Sequence, residues 1–177
     1  KGESHVLRHQ GTPLAAILCC PDCGTDLAAE GPCPGCGRPA EFEGEVPRLF
    51  PSKPQARTVT LPTGLTDPGR IDRSVYRVPP RHGQRGSPVY HLDHAHADRL
   101  MGLPPGALVL ETGCGGGQMR SWVRERGLGY IGTDVSTARV HDWLQEFGGA
   151  DILCDAHVLP LRDGTVDAVY ASAVYEH

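Results

Sequence analysis

The sequence predicts an α/β protein in which a doubly wound, mostly parallel sheet follows a small cysteine-bound unit. Short apolar segments alternate with helix-like segments between residues 91 and 177, a pattern typical of parallel sheets. Near the start of the chain, four of the seven cysteines form two C-x-x-C pairs. We therefore divide the chain into residues 1–50, residues 51–90 and residues 91–177.

The composition excludes several classes of protein. The 177 residues carry a formal net charge of -4, which argues against a wholly basic nucleic-acid binder. The longest apolar run, residues 14–20, is shorter than the ~18 residues that a transmembrane helix needs. That run also lacks the basic residues, and the small residue before a cysteine, that are expected of a targeting segment. The sequence therefore predicts a globular, cytoplasmic protein without membrane contact.

The cysteine pairs predict a metal site. Cys20 and Cys23 enclose Pro-Asp, Cys33 and Cys36 enclose Pro-Gly, and glycine follows each second cysteine. Such turns aim two thiolates at one point, and four thiolates suit a closed tetrahedral Zn²⁺ site in a reducing compartment. A redox-active C-x-x-C is the alternative, but the strand–helix context of a thioredoxin-like pair is missing. We interpret the remaining cysteines as buried or spare thiols: Cys19, Cys114 and Cys154.

Residues 51–90 are interpreted as an extended linker or a surface-wrapping arm. They hold seven prolines, seven basic residues and two acidic residues, and they show neither helical nor strand periodicity. The net charge of +5 that follows from these counts fits a solvated linker. It would also suit contact with a polyanionic substrate such as RNA.

Four short apolar segments predict the strands of the parallel sheet. These are residues 107–111, 130–134, 151–155 and 166–171. Two segments between them predict helices, because their apolar residues recur three and four positions apart. The predicted helices are residues 118–126, closed by Gly127, and residues 136–147, capped by Ser136.

A glycine cluster directly follows the first predicted strand. Gly113, Gly115 and Gly117 lie between that strand and the next helix, where the ends of parallel strands bind ligands. No lysine lies in or just after the cluster, so a phosphate-binding P-loop is excluded. Asp134 and Asp155 end the second and third strands. We expect Asp134 at a surface-lining position, where a carboxylate can accept two hydrogen bonds from a ribose diol.

These segments resemble the class I S-adenosylmethionine-dependent methyltransferases, in particular the broad family that includes the ubiquinone and menaquinone biosynthesis methyltransferases. The resemblance covers residues 104–177 and rests on VLETGCGGG, YIGTDVS and CDAHVLPLRDGTVDAVYASAVYEH, in the family's order and spacing. The resemblance implies that the methionine end of S-adenosylmethionine is bound by Glu111, Gly113, Gly115 and Gly117. It also implies that Asp134 binds the ribose, and that Asp155 and the Ala156 N–H bind the adenine. A dinucleotide-binding dehydrogenase, the alternative for such a loop, would not predict the run from Asp155 to Asp163. Because the family fold continues with three more strands, the resemblance also predicts that the chain ends within an incomplete sheet.

The cysteine unit resembles zinc ribbons at the head of certain methyltransferases, including bacterial rRNA guanine methyltransferases. Those ribbons use a different fourth ligand, whereas Cys36 stands in that position here. Together the resemblances imply methyl transfer from S-adenosylmethionine to an O, N or C atom of a small molecule. An rRNA methyltransferase is one alternative, favoured by the ribbon and the basic arm. A non-catalytic zinc-ribbon binding module on a methyltransferase-like scaffold is another, against which the retained acidic strand ends argue.

Histidines supply the remaining candidate residues. His177 matches the histidine that often ends the fourth-strand motif in the small-molecule branch of the family, which implies contact with the acceptor or a role as base. His91, His94 and Asp98 are expected near one face of a helix that is solvated or lines the substrate cleft, with a second metal site as the alternative. The fourth strand holds no N/D-P-P-Y motif and no Pro-Cys nucleophile, which disfavours methylation of base amines and of cytosine carbon. The acceptor and the oligomeric state stay open.

Overall fold

The structure, a computed structural model, describes residues 8–9, 12–53, 100, 102–117, 119–135, 148–171 and 174. Its strands are β1 (Arg8–His9), β2 (Thr12–Pro13), β3 (Phe42–Glu43), β4 (Val46–Pro47), β5 (Leu108–Thr112), β6 (Gly129–Asp134), β7 (Ile152–Leu153) and β8 (Ala168–Ala171). Its helices in these ranges are a 3₁₀ helix (Leu14–Ala16) and α1 (Met119–Glu125). None of the described helices is long and apolar enough to cross a bilayer.

Strands β5 to β8 form one parallel sheet in the order β7-β6-β5-β8. Val109 at the centre of the sheet lies opposite Tyr130 on one side and Ala168 on the other. This order and the parallel pairing confirm the predicted doubly wound, Rossmann-like sheet. Strand β7 is shorter than predicted, because the chain turns after it and the Val158 N–H bonds to the Asp155 carbonyl at 2.9 Å.

Helix α1 covers one face of the sheet. Its apolar residues pack in one cluster with residues in or next to β5, β6 and β8: Ala107, Val109, Met119, Trp122, Val123, Leu128, Tyr130 and Tyr170. The helix ends before Gly127, whose φ of +73° is readily adopted only by glycine. The predicted apolar stripe and stop are therefore confirmed, although the stripe pattern did not indicate that Arg120 also points inward, with 5% of its surface exposed.

The N-terminal unit covers the opposite face. Leu14 and Leu18, in and just after the 3₁₀ helix, and Leu49, just after β4, are buried against the sheet. The sheet residues in this cluster are Leu110, Ile131, Ile152 and Cys154. Because side chains alternate along a strand, Leu110 and Ile131 face this side while their neighbours face α1. The two parts of the chain thus share one hydrophobic core.

Backbone hydrogen bonds fix the N-terminal unit on the sheet. The Cys19 N–H donates to the Pro160 carbonyl at 3.0 Å, and the Arg162 N–H donates to the Ile17 carbonyl at 2.9 Å. An ion pair of 2.9 Å between the Arg162 Nη1 and the Asp26 Oδ2 lies beside them. These contacts join residues more than 130 positions apart, so the segment after β7 is a docking surface for the N-terminal unit.

Candidate functional site

The four paired cysteines converge within the N-terminal unit. The Sγ atoms of Cys20, Cys23, Cys33 and Cys36 all lie within 4.8 Å of one another. Two of the separations are 3.7 Å, between Cys20 and Cys36, and 3.6 Å, between Cys23 and Cys33. Four sulfurs at the Zn–S distance of about 2.3 Å would form a tetrahedron with edges of about 3.8 Å. The thiol cluster therefore has the size that a zinc ribbon requires.

Local turns create this convergence. The Gly24 N–H donates to the Cys20 carbonyl at 2.8 Å, and the Gly37 N–H donates to the Cys33 carbonyl at 2.9 Å. Gly24 and Gly37 have φ angles of +72° and +73°, a conformation that disfavours residues with a Cβ. The glycine after each pair is thus needed to close its turn, which explains the repeated pattern.

Asp22, between the first two cysteines, connects the turns to the end of the unit. Its carboxylate accepts hydrogen bonds from the Ser52 N–H and hydroxyl at 2.6 Å each and from Arg38 at 2.9 Å. The Ser52 bonds, and then the Arg38 charge, lower the pKa of Asp22. Sequence reasoning missed this link, because Asp22 and Ser52 are far apart along the chain.

The other cysteines behave as predicted. Cys114 and Cys154 are buried, and burial raises the pKa of both thiols, that of Cys154 to about 12. Cys19 is half-buried, and burial raises its pKa as well. None of these three belongs to the sulfur cluster found among the described residues.

The glycine loop lies at the carboxyl end of β5. Gly113 and Gly115 have φ angles of +65° and +53°, so a side chain at either position would be strained. A Cβ on Gly113 would collide with Val174, whereas a Cβ on Gly115 would meet no atom within 4 Å. The loop is held by the Cys114 N–H, which donates to the Thr133 carbonyl at 3.0 Å. The backbone is therefore fixed, with open space beside Gly115.

Asp134, at the end of β6, lies against this loop. Its Oδ2 accepts a 2.9 Å hydrogen bond from the Gly115 N–H. The expectation of a surface-lining position is wrong, since only 3% of Asp134 is exposed. The structure thus brings together two of the predicted cofactor-binding elements.

Asp155 and Ala156 lie beyond the end of β7. Asp155 is half-buried and Ala156 is exposed, so this corner is open to solvent. The Asp155 Oδ1 accepts a hydrogen bond from the His157 N–H at 2.8 Å and lies 2.7 Å from the His157 Nδ1. His157 was not among the predicted site residues, and its contact with Asp155 adds it to this corner.

Glu111, next to the glycine loop, is buried within the sheet. The hydroxyl of Tyr130 donates a hydrogen bond to its Oε2. Burial, together with the negative charge of Glu111, raises the pKa of Tyr130 well above its usual value. Tyr130 therefore keeps its proton and remains a donor.

Arg120 extends this polar network behind the loop. Its Nη1 lies 2.8 Å from the Asp151 Oδ1, and its Nη2 donates to the Gly149 carbonyl at 2.6 Å. The Asp151 Oδ2 in turn accepts from the Gly132 N–H at 2.7 Å. A guanidinium and a carboxylate buried as a hydrogen-bonded pair are costly to separate, so this network fixes α1 and the chain before β7 to the central strands.

The predicted histidine positions are not among the residues that the structure describes. His177 lies outside the described residues, as do His91, His94 and Asp98. The same holds for the predicted helix 136–147 and for residues 54–90 of the proposed arm.

Comparison with known proteins bears on the sheet and its loop. Residues 110–177 match the family described as a methyltransferase domain. No curated protein matches the chain. Among solved structures, the chain is similar to the X-ray structure of YjhP from E. coli, with 18% sequence identity and a TM-score of 0.27. That similarity covers 56% of this chain and 34% of the YjhP chain, so the chain spans about a third of that protein's length.

Proposed function

We propose that the protein transfers the methyl group of S-adenosylmethionine to a small molecule, a proposal supported by the match of residues 110–177 to the family described as a methyltransferase domain. The proposed acceptor atom is O, N or C. The observation that carries the proposal is the contact of the glycine loop with Asp134, at 2.9 Å, beside the buried Glu111. A glycine loop and an acidic strand end at the carboxyl edge of a parallel sheet are the usual means of binding a nucleoside cofactor.

The chain's residues would act mainly by binding and orienting. S-Adenosylmethionine, when bound, supplies a methyl group already activated by its sulfonium. Glu111 would attract the ammonium group of the methionine end, and the glycine loop would lie along that part of the ligand. Asp134 would accept hydrogen bonds from the ribose hydroxyls.

The adenine would lie at the open corner after β7. Asp155 would accept from its amino group, and the Ala156 N–H would donate to its ring. The exposure of Ala156 and the half-buried position of Asp155 support this assignment. His157 touches Asp155, and it would border the same end of the ligand.

We propose that the cysteine cluster binds one structural Zn²⁺ ion. The sulfur separations of 3.6 and 3.7 Å support this. Four protein ligands complete a tetrahedral shell and leave no position for a substrate, so the metal would hold the ribbon together. Thiolate ligation needs a reducing compartment, for which we propose the cytoplasm.

A ribosomal RNA acceptor is the second candidate function. It is favoured by the ribbon and by the +5 charge of residues 51–90, which contain seven basic and two acidic residues. A non-catalytic binding module is disfavoured by the acidic side chains and glycines that surround the proposed cofactor site.

Calorimetric titration of the full chain with S-adenosylhomocysteine tests the proposal. We expect micromolar binding to the wild type and to the Asp163→Asn variant, a matched control that removes an exposed carboxylate from the loop after β7. Absence of binding to a folded, metal-loaded chain would contradict the proposed cofactor site of this chain. Salt-dependent binding of ribosomal RNA fragments would instead favour the RNA acceptor, because phosphate contacts weaken steeply as salt rises.

A further inference from the structure

The Tyr130 hydroxyl reaches the Glu111 carboxylate from the neighbouring strand. We propose that Tyr130 is a positioning residue, which holds Glu111 in the orientation that binds the ammonium group at the methionine end of the cofactor. This inference rests on the proposed function and adds a residue that does not itself touch the ligand. A tyrosine that served only to fill the core could be replaced by phenylalanine without consequence for ligand binding.

The register of the sheet places the two side chains on one face. Val109 lies opposite Tyr130, and Glu111 lies opposite Gly132. Since side chains alternate along a strand, Tyr130 and Glu111 both point toward α1. A Cβ on Gly132 would lie 2.9 Å from the Tyr130 hydroxyl oxygen. The absence of a side chain at Gly132 therefore opens the path by which the hydroxyl reaches Glu111.

The tyrosine ring is itself held in place. The Cζ of Arg120 lies 4.8 Å from the centroid of the Tyr130 ring, a distance at which a guanidinium is attracted to an aromatic face. Arg120 is fixed by Asp151 at 2.8 Å, and Asp151 by the Gly132 N–H at 2.7 Å. The chain of contacts thus runs from the Tyr130 ring through Arg120 and Asp151 to Gly132, which lies beside the Tyr130 hydroxyl. Movement of the Tyr130 ring would therefore disturb a buried ion pair.

The charges in this region fit the recognition of a cation. A hydrogen bond from a neutral hydroxyl to a carboxylate stabilises the ionised form, in this case Glu111. The high pKa of Tyr130 keeps its hydroxyl protonated, so it cannot add a competing negative charge. An ionised, fixed carboxylate is suited to an ammonium group, whereas a protonated or rotated one is not.

The test compares two probes in the full chain. S-Adenosylhomocysteine carries the ammonium group, and 5′-methylthioadenosine lacks the amino-acid portion. We expect Tyr130→Phe to weaken binding of S-adenosylhomocysteine about tenfold and to leave binding of 5′-methylthioadenosine unchanged. Glu111→Gln should show the same selective loss, and adding Tyr130→Phe to it should cause little further loss.

A matched control separates positioning from general packing. Thr133→Val removes another buried hydroxyl, which donates to the backbone carbonyl of Glu111 at 3.2 Å and not to its carboxylate. Its ratio of affinities for the two probes should stay that of the wild type. Thermal unfolding of each variant shows that it is folded.

The outcomes distinguish this inference from the proposed function. If the wild type binds neither probe, the proposed function fails and the positioning role with it. If the wild type binds both, and Tyr130→Phe weakens both probes equally or neither, only the positioning role is overturned. A selective loss for S-adenosylhomocysteine in a folded variant supports it.

Discussion

The N–H of Leu49 donates a 2.8 Å hydrogen bond to the carbonyl of Leu153, and Arg48 pairs in parallel with the same residue. The residues after β4 thereby extend the sheet beyond β7. The Leu49 side chain packs in the same core cluster as Leu110 and Ile131 of the central strands. Strand pairing and shared burial join the N-terminal cysteine unit to the parallel sheet, so loss of order in that unit should affect the proposed cofactor site.

The first prediction concerns this coupling. Cys33→Ser, which removes one proposed zinc ligand, should lower the Tm of the whole chain by roughly 10 °C and weaken binding of S-adenosylhomocysteine. The reason is that the disordered ribbon would uncover the edge of β7 and one face of the sheet. Differential scanning calorimetry should show one transition, shifted as a whole. The matched control is Cys19→Ser, which changes a cysteine outside the cluster and should leave both quantities near wild type. Two separate transitions, with the second unchanged in Cys33→Ser, would contradict the coupling.

The second prediction concerns the thiols. Treatment of the zinc-loaded protein with a chelator and a thiol reagent at pH 8 should produce a fast phase of four thiols, those of the sulfur cluster. Cys114 should react only as the chain unfolds, because it is buried outside the cluster that the N-terminal unit covers with Leu14, Leu18 and Leu49. Spectrophotometric thiol counting with time measures both phases. The assigned ligand set would be excluded if Cys19→Ser lowered the number of fast-reacting thiols by one. It would also be excluded if the four thiols reacted fast without chelator.

The third prediction concerns Asp134. Asp134→Ala should weaken binding of S-adenosylhomocysteine at least tenfold, since charge-assisted hydrogen bonds contribute about 1.5–3 kcal/mol each. It should also destabilise the chain without ligand by about 1–3 kcal/mol, because it leaves the Gly115 N–H without its acceptor. Asp134→Asn keeps one acceptor oxygen and should lose less of both. Calorimetric titration and urea unfolding measure the two effects. Equal affinities in all three proteins would remove the ribose assignment.

The fourth prediction compares two arginines. Arg120→Met would leave the carboxylate of Asp151 buried without its charge partner, at a cost of about 3–5 kcal/mol. Arg162→Met should cost less than about 1 kcal/mol, because the side chains of Arg162 and Asp26 are 35% and 61% exposed and water screens the pair. Urea unfolding of both variants under identical conditions provides the comparison. Similar losses would show that the Arg120 pair is not the structural centre of the network.

The sequence by itself determined the local elements. Strands β5 and β6, helix α1 and its stop at Gly127 were predictable, because hydrophobic periodicity and glycine conformation are properties of neighbouring residues. The C-x-x-C turns were predictable for the same reason, since each pair is closed by its own glycine. The sequence also showed a glycine loop followed by two strands that end in Asp134 and Asp155. This pattern predicted a cofactor site at the carboxyl edge of the sheet.

Only the tertiary structure decided how these elements meet. No pattern in residues 14–49 indicated that Leu14, Leu18 and Leu49 would cover one face of the sheet. The inward Arg120, the burial of Asp134 and the bond from Tyr130 to Glu111 were equally hidden. Each depends on a partner more than ten positions away, and the burial of a polar side chain is favourable only when folding brings such a partner within hydrogen-bonding distance. Local pattern therefore sets which elements form, whereas long-range packing sets which polar groups are paired.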